Sequence, residues 1–190
     1  MYSFSSKIKL TALISMIVGL VAVIYSFIAT PSSVADLHQG GEAAHDPAHL
    51  EHMLHMLQNK PWAALYVAAL FFLLISLGVL AFYAINRAAQ AGWAPILFRV
   101  MEGITGYLPV GALIFFVLLV CSGLHLNHLF IWMDPQVVAH DTVIQGKTGY
   151  LNVPFFLVRA AVYMLGWIAY RQITRKLSKA QDLAQDNRPF

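Results

Sequence analysis

The stretch Val110 to Trp132, VGALIFFVLLVCSGLHLNHLFIW, is long enough to cross a bilayer and carries two histidines and an asparagine near its end. About 20 apolar residues in helical form span a hydrocarbon core of about 30 Å. Read as a spanning helix, the stretch sets His125, Asn127 and His128 within or at the lip of its outermost third. The rest of the chain is read relative to it.

Composition extends the membrane reading to all 190 residues. The sequence is 59% hydrophobic and only 11% charged, with a mean hydropathy of +0.66, too little charged surface for a soluble domain of this size. The single cysteine, Cys121, lies inside an apolar run, so neither a disulfide framework nor a cysteine cluster for zinc or iron and sulfur is available. The net charge of +3 comes largely from lysines and arginines outside the apolar runs. It reads as topology information rather than nucleic-acid affinity.

Four apolar runs define the expected fold, an all-α polytopic bundle. Its transmembrane helices are expected near residues 10–30, 62–85, 108–132 and 152–173, in one membrane domain covering 1–190. The first run exceeds the roughly 7 to 15 residues of a secretory signal's core and lacks a small-x-small cleavage site, so it is expected to be retained. Residues 31–61 change composition abruptly and form an aqueous loop with five histidines. Within it, Asp46 followed by Pro47 reads as an N-cap and first helical position. Leu50, Met53, Leu54 and Leu57 share one face, which predicts a short amphipathic helix. Pro61 and Trp62 open the second run at an interface, and Pro109 predicts a kink before the central helix. Residues 133–150 form a second aqueous connection, and 174–190 a solvated tail.

Orientation follows from the lysines and arginines. Lys7, Lys9, Arg87, Arg99, Arg171, Arg175, Lys176, Lys179 and Arg188 fall on one side, against Lys60 and Lys147 on the other. Both termini are therefore expected in the cytoplasm, with the histidine-rich loop and the 133–150 loop facing outward.

With helix extending to residue 132, Cys121, His125, His128 and Trp132 occupy one stripe, and Asn152, Arg159, Tyr163, Gly166 and Tyr170 occupy another on the fourth helix. At about 1.5 Å per residue, Arg159 lies about 9 Å below the outer end of its helix, a depth comparable to that of His125. A charge there needs a partner, a water-filled cavity or a snorkelling path. His125, Asn127, His128 and Arg159 are thus candidates for an outward-opening site that faces quinone or carries protons. The competing reading has Arg159 snorkelling to the phosphates and the histidines bonded to backbone carbonyls. Glu102, three residues from Arg99 and able to pair with it, is either a further proton-path candidate or a structural anchor. His45, His49, His52 and His55 are candidates for zinc or copper, against a solvated polar face. No second spanning run offers an opposed histidine and no glycine-rich nucleotide turn occurs, so neither haem nor flavin is expected in this chain.

The phrases QNKPWAALYVAALFF, RVMEGITGYLPVG, HLNHLFIWMDP, VVAHD and GKTGYLNVPFFLVRAAVY together resemble the F subunit of bacterial alternative complex III, a quinol:cytochrome c oxidoreductase of the respiratory chain. The resemblance covers nearly the whole chain. It implies a cofactor-free subunit of the bacterial cytoplasmic (inner) membrane, similar to NrfD/PsrC-type membrane proteins, that acts as a scaffold and as a possible proton path. Quinol, haem c and iron–sulfur clusters would belong to partner subunits. The implied partners are the NrfD-like C subunit, the iron–sulfur B subunit, haem c subunits, small anchors and a terminal oxidase. The alternative is a purely structural anchor. Members of the family have further spanning helices, so the chain is expected to correspond to the N-terminal part of such a subunit.

Overall fold

The computed structural model describes residues 5–33 and 47–183. Among these there is helix and turn but no strand. Four helical stretches are long and apolar enough to cross a membrane. The chain divides into two units, residues 1–64 and 65–190.

In the first unit, α1 (Ser6–Ile28) covers the first expected span and has no buried residue. It ends where Pro31 can no longer supply an amide proton. The Thr30 hydroxyl meets the Ser26 carbonyl at 2.7 Å, and the Pro31 carbonyl accepts from Gln58 Nε2 at 3.4 Å. Phe27 and Trp62 stand edge to face at 5.2 Å. Helix α2 (Pro47–Ala88) begins in this unit, and the division between units falls inside it.

The expected amphipathic helix is not a separate element. It continues through Pro61 into the second span as one helix of 42 residues. A proline inside a helix removes one N–H, here leaving the Leu57 carbonyl without its usual partner. At about 1.5 Å per residue the helix is roughly twice as long as the hydrocarbon core requires, so part of it runs outside the apolar layer.

In the second unit, α2 leads through a turn to α3 (Pro95–Ile104), a 3-10 turn (Thr105–Tyr107) and α4 (Leu108–Gly123). These three pieces make the third span, Pro95–Gly123. A short 3-10 turn (Ile131–Met133), α5 (Pro135–His140) and α6 (Thr142–Gln145) lead to α7 (Val153–Leu183), the fourth span. The α6 N-terminus is capped by Asp141 Oδ1, which accepts from the Val143 and Ile144 amides at 2.8 and 3.2 Å. Asn152 Oδ1 does the same for Phe155 at 2.9 Å, as expected for a polar residue just before a helix.

Two expected boundaries are corrected. The third helix was expected over 108–132; α4 begins at Leu108 as expected, preceded by α3 and the 3-10 turn, but stops at Gly123. The stop is a Schellman arrangement. The Leu126 amide reaches back to the Cys121 carbonyl at 3.1 Å and the His125 amide to the Ser122 carbonyl at 3.1 Å. His125 takes the left-handed position at φ 58°. The same closure ends α2, with Ala91 to Asn86 at 3.1 Å, Gln90 to Arg87 at 3.2 Å and Gln90 at φ 50°. The fourth helix runs ten residues past the expected 173, to Leu183, so the first part of the expected tail is helical.

The third span is the centre of this unit, with 39% of its most apolar stretch buried against 6% for the fourth span. Helix α2 lies antiparallel along it, pairing Tyr83 with Phe98 at 5.1 Å, Phe72 with Tyr107 at 6.1 Å and Tyr66 with Phe115 at 5.2 Å. Helix α7 lies antiparallel as well. Arg99 Nη2 reaches the Ser178 carbonyl at 3.5 Å, a Cβ on Gly106 would stand 3.6 Å from Arg171 Nη2, and one on Gly123 would meet Val153 Cγ1 at 2.9 Å.

Candidate functional site

At the arginine-rich end, three helices bring polar groups into contact with one another. Helix α2 contributes Tyr83, Asn86 and Arg87, helix α3 Arg99 and Glu102, the 3-10 turn Thr105, and helix α7 Arg171, Thr174, Arg175 and Ser178. Tyr83 and Arg87 are one helical turn apart, so both reach the third span. The Arg87 guanidinium lies 5.1 Å from the Phe98 ring centre and 5.7 Å from that of Tyr83, within cation–π range. Asn86 is buried and returns its amide to the Phe82 carbonyl at 2.8 Å.

The acid of this cluster is Glu102. Its Oε2 pairs with Arg99 Nη1 at 2.9 Å, with the glutamate side chain 12% exposed and the arginine side chain 48% exposed. Thr105 Oγ1 donates to the Glu102 carbonyl at 3.0 Å and holds the joint between α3 and the 3-10 turn. Glu102 Oε1, the Tyr83 hydroxyl and Arg171 Nε are buried and meet no hydrogen-bond partner. All three residues line one narrow cavity, together with Leu80, Thr105, Thr174 and Arg175.

At the opposite end of the third span lie the other expected candidates. Asn127 is buried, and its Oδ1 accepts from Ser122 Oγ at 2.8 Å and the Leu129 amide at 3.3 Å. It folds the chain back onto the end of α4. His125 is exposed at the left-handed position that closes the helix, and His128 is exposed beyond it. Because α4 ends at Gly123, Cys121, His125, His128 and Trp132 do not form a helical stripe.

Arg159 lies against rings, its guanidinium carbon 3.8 Å from the centre of Tyr150, 5.1 Å from Phe155 and 5.8 Å from Phe156. Phe156 continues into an aromatic group with Phe130 and Trp132 at 6.1 and 5.1 Å. Phe130 in turn meets Tyr66 at 5.7 Å. The expected pairing of Arg99 with Glu102 is present. Ser122 with Asn127 is a contact that spacing did not suggest.

Of the metal candidates, His45 lies outside the described residues, as do the side chains of His49 and His52, and His55 is exposed. No group of three or more His, Cys, Asp or Glu side chains that could hold a metal occurs among the described residues.

Tyr83 and Arg171 were not singled out from the sequence as site residues. Arg171 was counted as a topology charge at the end of the fourth run. The available signal was its depth, a full turn before Arg175 in a helix that continues to Leu183.

These elements define a multi-pass α-helical membrane protein with a buried polar cluster at one end of its third span. No protein-family model and no curated protein matches the chain.

Proposed function

We propose that the chain is a cofactor-free integral membrane subunit of a respiratory quinol:cytochrome c oxidoreductase of the alternative complex III type. It would sit in the bacterial cytoplasmic membrane with its arginine-rich end inward. There it holds neighbouring subunits, and Glu102 offers a site for protons. The family resemblance of the sequence suggests this role, and α1 is the observation that carries it. Along α1, Thr11, Ser15 and Gly19 recur at intervals of four. Small residues on one face let a second helix approach closely in a bilayer. A span of this kind is suited to a partner subunit.

Glu102 supports the proton part of the reading. A carboxylate within a spanning segment is costly and commonly functional. This one pairs with Arg99, lines a narrow cavity, and has a second oxygen that is buried without a hydrogen-bond partner. The Arg99–Glu102 pair equally favours a second reading, an anchor with no proton role.

The test is to isolate the tagged chain from native membranes under conditions that keep complexes intact. Co-isolation with haem c and iron–sulfur subunits and quinol-dependent reduction of an acceptor is expected. A chain that isolates without redox subunits overturns the proposal.

A further inference from the structure

The cavity between α2, α3 and α7 is too narrow for an organic ligand. It leaves about 10 Å³ for the centre of a water molecule, room for water and for nothing larger. Its walls are not those of a dry void. Tyr83 is 2% exposed and Arg171 8% exposed, so both are more than nine-tenths buried; both residues line the cavity, and each has a buried polar atom that meets no hydrogen-bond partner. Glu102 adds an unpartnered oxygen while its other oxygen is held by Arg99. The Arg87 guanidinium stands 5.7 Å from the Tyr83 ring centre and gives the hydroxyl no hydrogen bond.

Leaving three buried polar groups without partners would cost each of them its hydration, about 1–3 kcal/mol for a neutral group and more for a charged one. Three such costs in one cavity are not expected in a folded bundle. One shared partner removes all of them. That partner must accept from Arg171 Nε–H, which can only donate, and donate to Glu102 Oε1, which as a carboxylate can only accept. It must also exchange a hydrogen bond with a hydroxyl. Water is the one molecule of that size with two donors and two acceptors.

We propose that the cavity is a structural water site, in which one water bridges Tyr83, Glu102 and Arg171 and thereby ties the second, third and fourth spans together. The water accepts from Arg171 Nε–H and from the Tyr83 hydroxyl, and donates to Glu102 Oε1. Its second proton faces Thr105 Oγ1, whose own proton is given to the Glu102 carbonyl at 3.0 Å. The three buried atoms and both protons of the water then have partners. The site is independent of membership in a respiratory complex.

The test is radiolytic hydroxyl-radical labelling of the full chain in native membranes, read by mass spectrometry. Radicals made from an ordered internal water oxidise the side chains beside it, however deeply these are buried. After correction for intrinsic reactivity, Tyr83 is expected to label at least fivefold more than Leu73 and Leu108, which are equally buried at 3% and 0% exposure but do not line the cavity. Glu102→Gln keeps an acceptor and should keep the Tyr83 label. Glu102→Leu replaces it with an apolar group and should lower the label at least fivefold. A Tyr83 as silent as Leu108 overturns the proposal, and so does a Tyr83 label unchanged in Glu102→Leu, which would mean entry of bulk solvent. If Glu102→Leu does not insert, the comparison with Leu73 and Leu108 in the unaltered chain decides.

Discussion

Gly123 on α4 and Val153 on α7 approach so closely that a Cβ on the glycine would stand 2.9 Å from Val153 Cγ1. The contact joins the end of the third span to the start of the fourth. Valine is stiff at χ1, so its methyl cannot swing aside freely. Gly123→Ala is therefore expected to destabilise the bundle. Overpacking costs about 1–3 kcal/mol, and better helix propensity offsets about 1 kcal/mol of that. Gly123→Ala with Val153→Ala should recover part of the loss, a coupling that unfolding titrations in mixed micelles would measure. Additive losses would count against the contact.

His125 makes the opposite prediction. It occupies φ 58°, where a side chain costs roughly 1–2 kcal/mol and glycine costs none of that strain. His125→Gly should be neutral or stabilising by up to about 1 kcal/mol, and His125→Val should be destabilising by at least as much. If His125→Gly lowers stability in the same titration, the imidazole makes a contact that outweighs the backbone strain.

Glu102→Gln separates a chemical role from an anchoring one. Its partner Arg99 is half exposed, and a pair of that kind is worth about 0.2–1 kcal/mol. Thermal unfolding should therefore shift little. Quinol turnover and proton release in the intact assembly should fall by tenfold or more. Unchanged turnover with unchanged stability would leave the anchoring reading in place.

Arg159 stacks on Tyr150 at 3.8 Å, an interaction worth about 0.5–2 kcal/mol depending on desolvation. Tyr150→Phe keeps the ring face and should be nearly silent, whereas Tyr150→Leu should lose most of that stabilisation. Arg159→Lys keeps the charge but loses the planar stacking group, so it should lie between the native chain and Arg159→Leu. Thermal unfolding of the four variants would rank them, and a silent Tyr150→Leu would remove the role assigned to the ring.

For orientation, the expected outcome in a Cys121→Ser background is labelling of Lys179→Cys only from the cytoplasmic side and of Lys147→Cys only from the outside. Membrane-impermeant maleimide on intact cells and on inverted vesicles would check it. The reverse pattern would invert the charge-based topology.

The four spans were legible because length and apolarity alone identify a stretch that can cross a bilayer. Where the third one stops was not. Leu124, Leu126, Leu129 and Phe130 are as apolar as the helix before them, and the left-handed closure falls on a histidine rather than on the glycine that usually marks it. That error of register created the expected histidine stripe. The Arg99–Glu102 pair was legible because both residues lie on one helix, three positions apart. The Tyr83 and Arg171 contributions were not, since their meeting depends on two further helices lying antiparallel against the third. Arg159 was recognised as a charge in need of a partner. Its nearest ring, Tyr150, comes from the turn before its own helix, a relationship that periodicity within α7 does not contain.

The 3-10 turn at Thr105–Tyr107 has a rotational consequence. Each of its residues advances about 120° around the axis where an α-helical residue advances about 100°, so the turn adds roughly 60° between α3 and α4. This offset keys the carboxylate of Glu102 to the cavity while Gly111, Ala112 and Leu119 keep their own buried positions on α4. Rewinding those three residues as ordinary helix, with α4 held against α7, would turn Glu102 by the same angle, away from Tyr83 and Arg171. The third span is thus built as a screw joint, in which a change in local pitch becomes a change in what surrounds a charge.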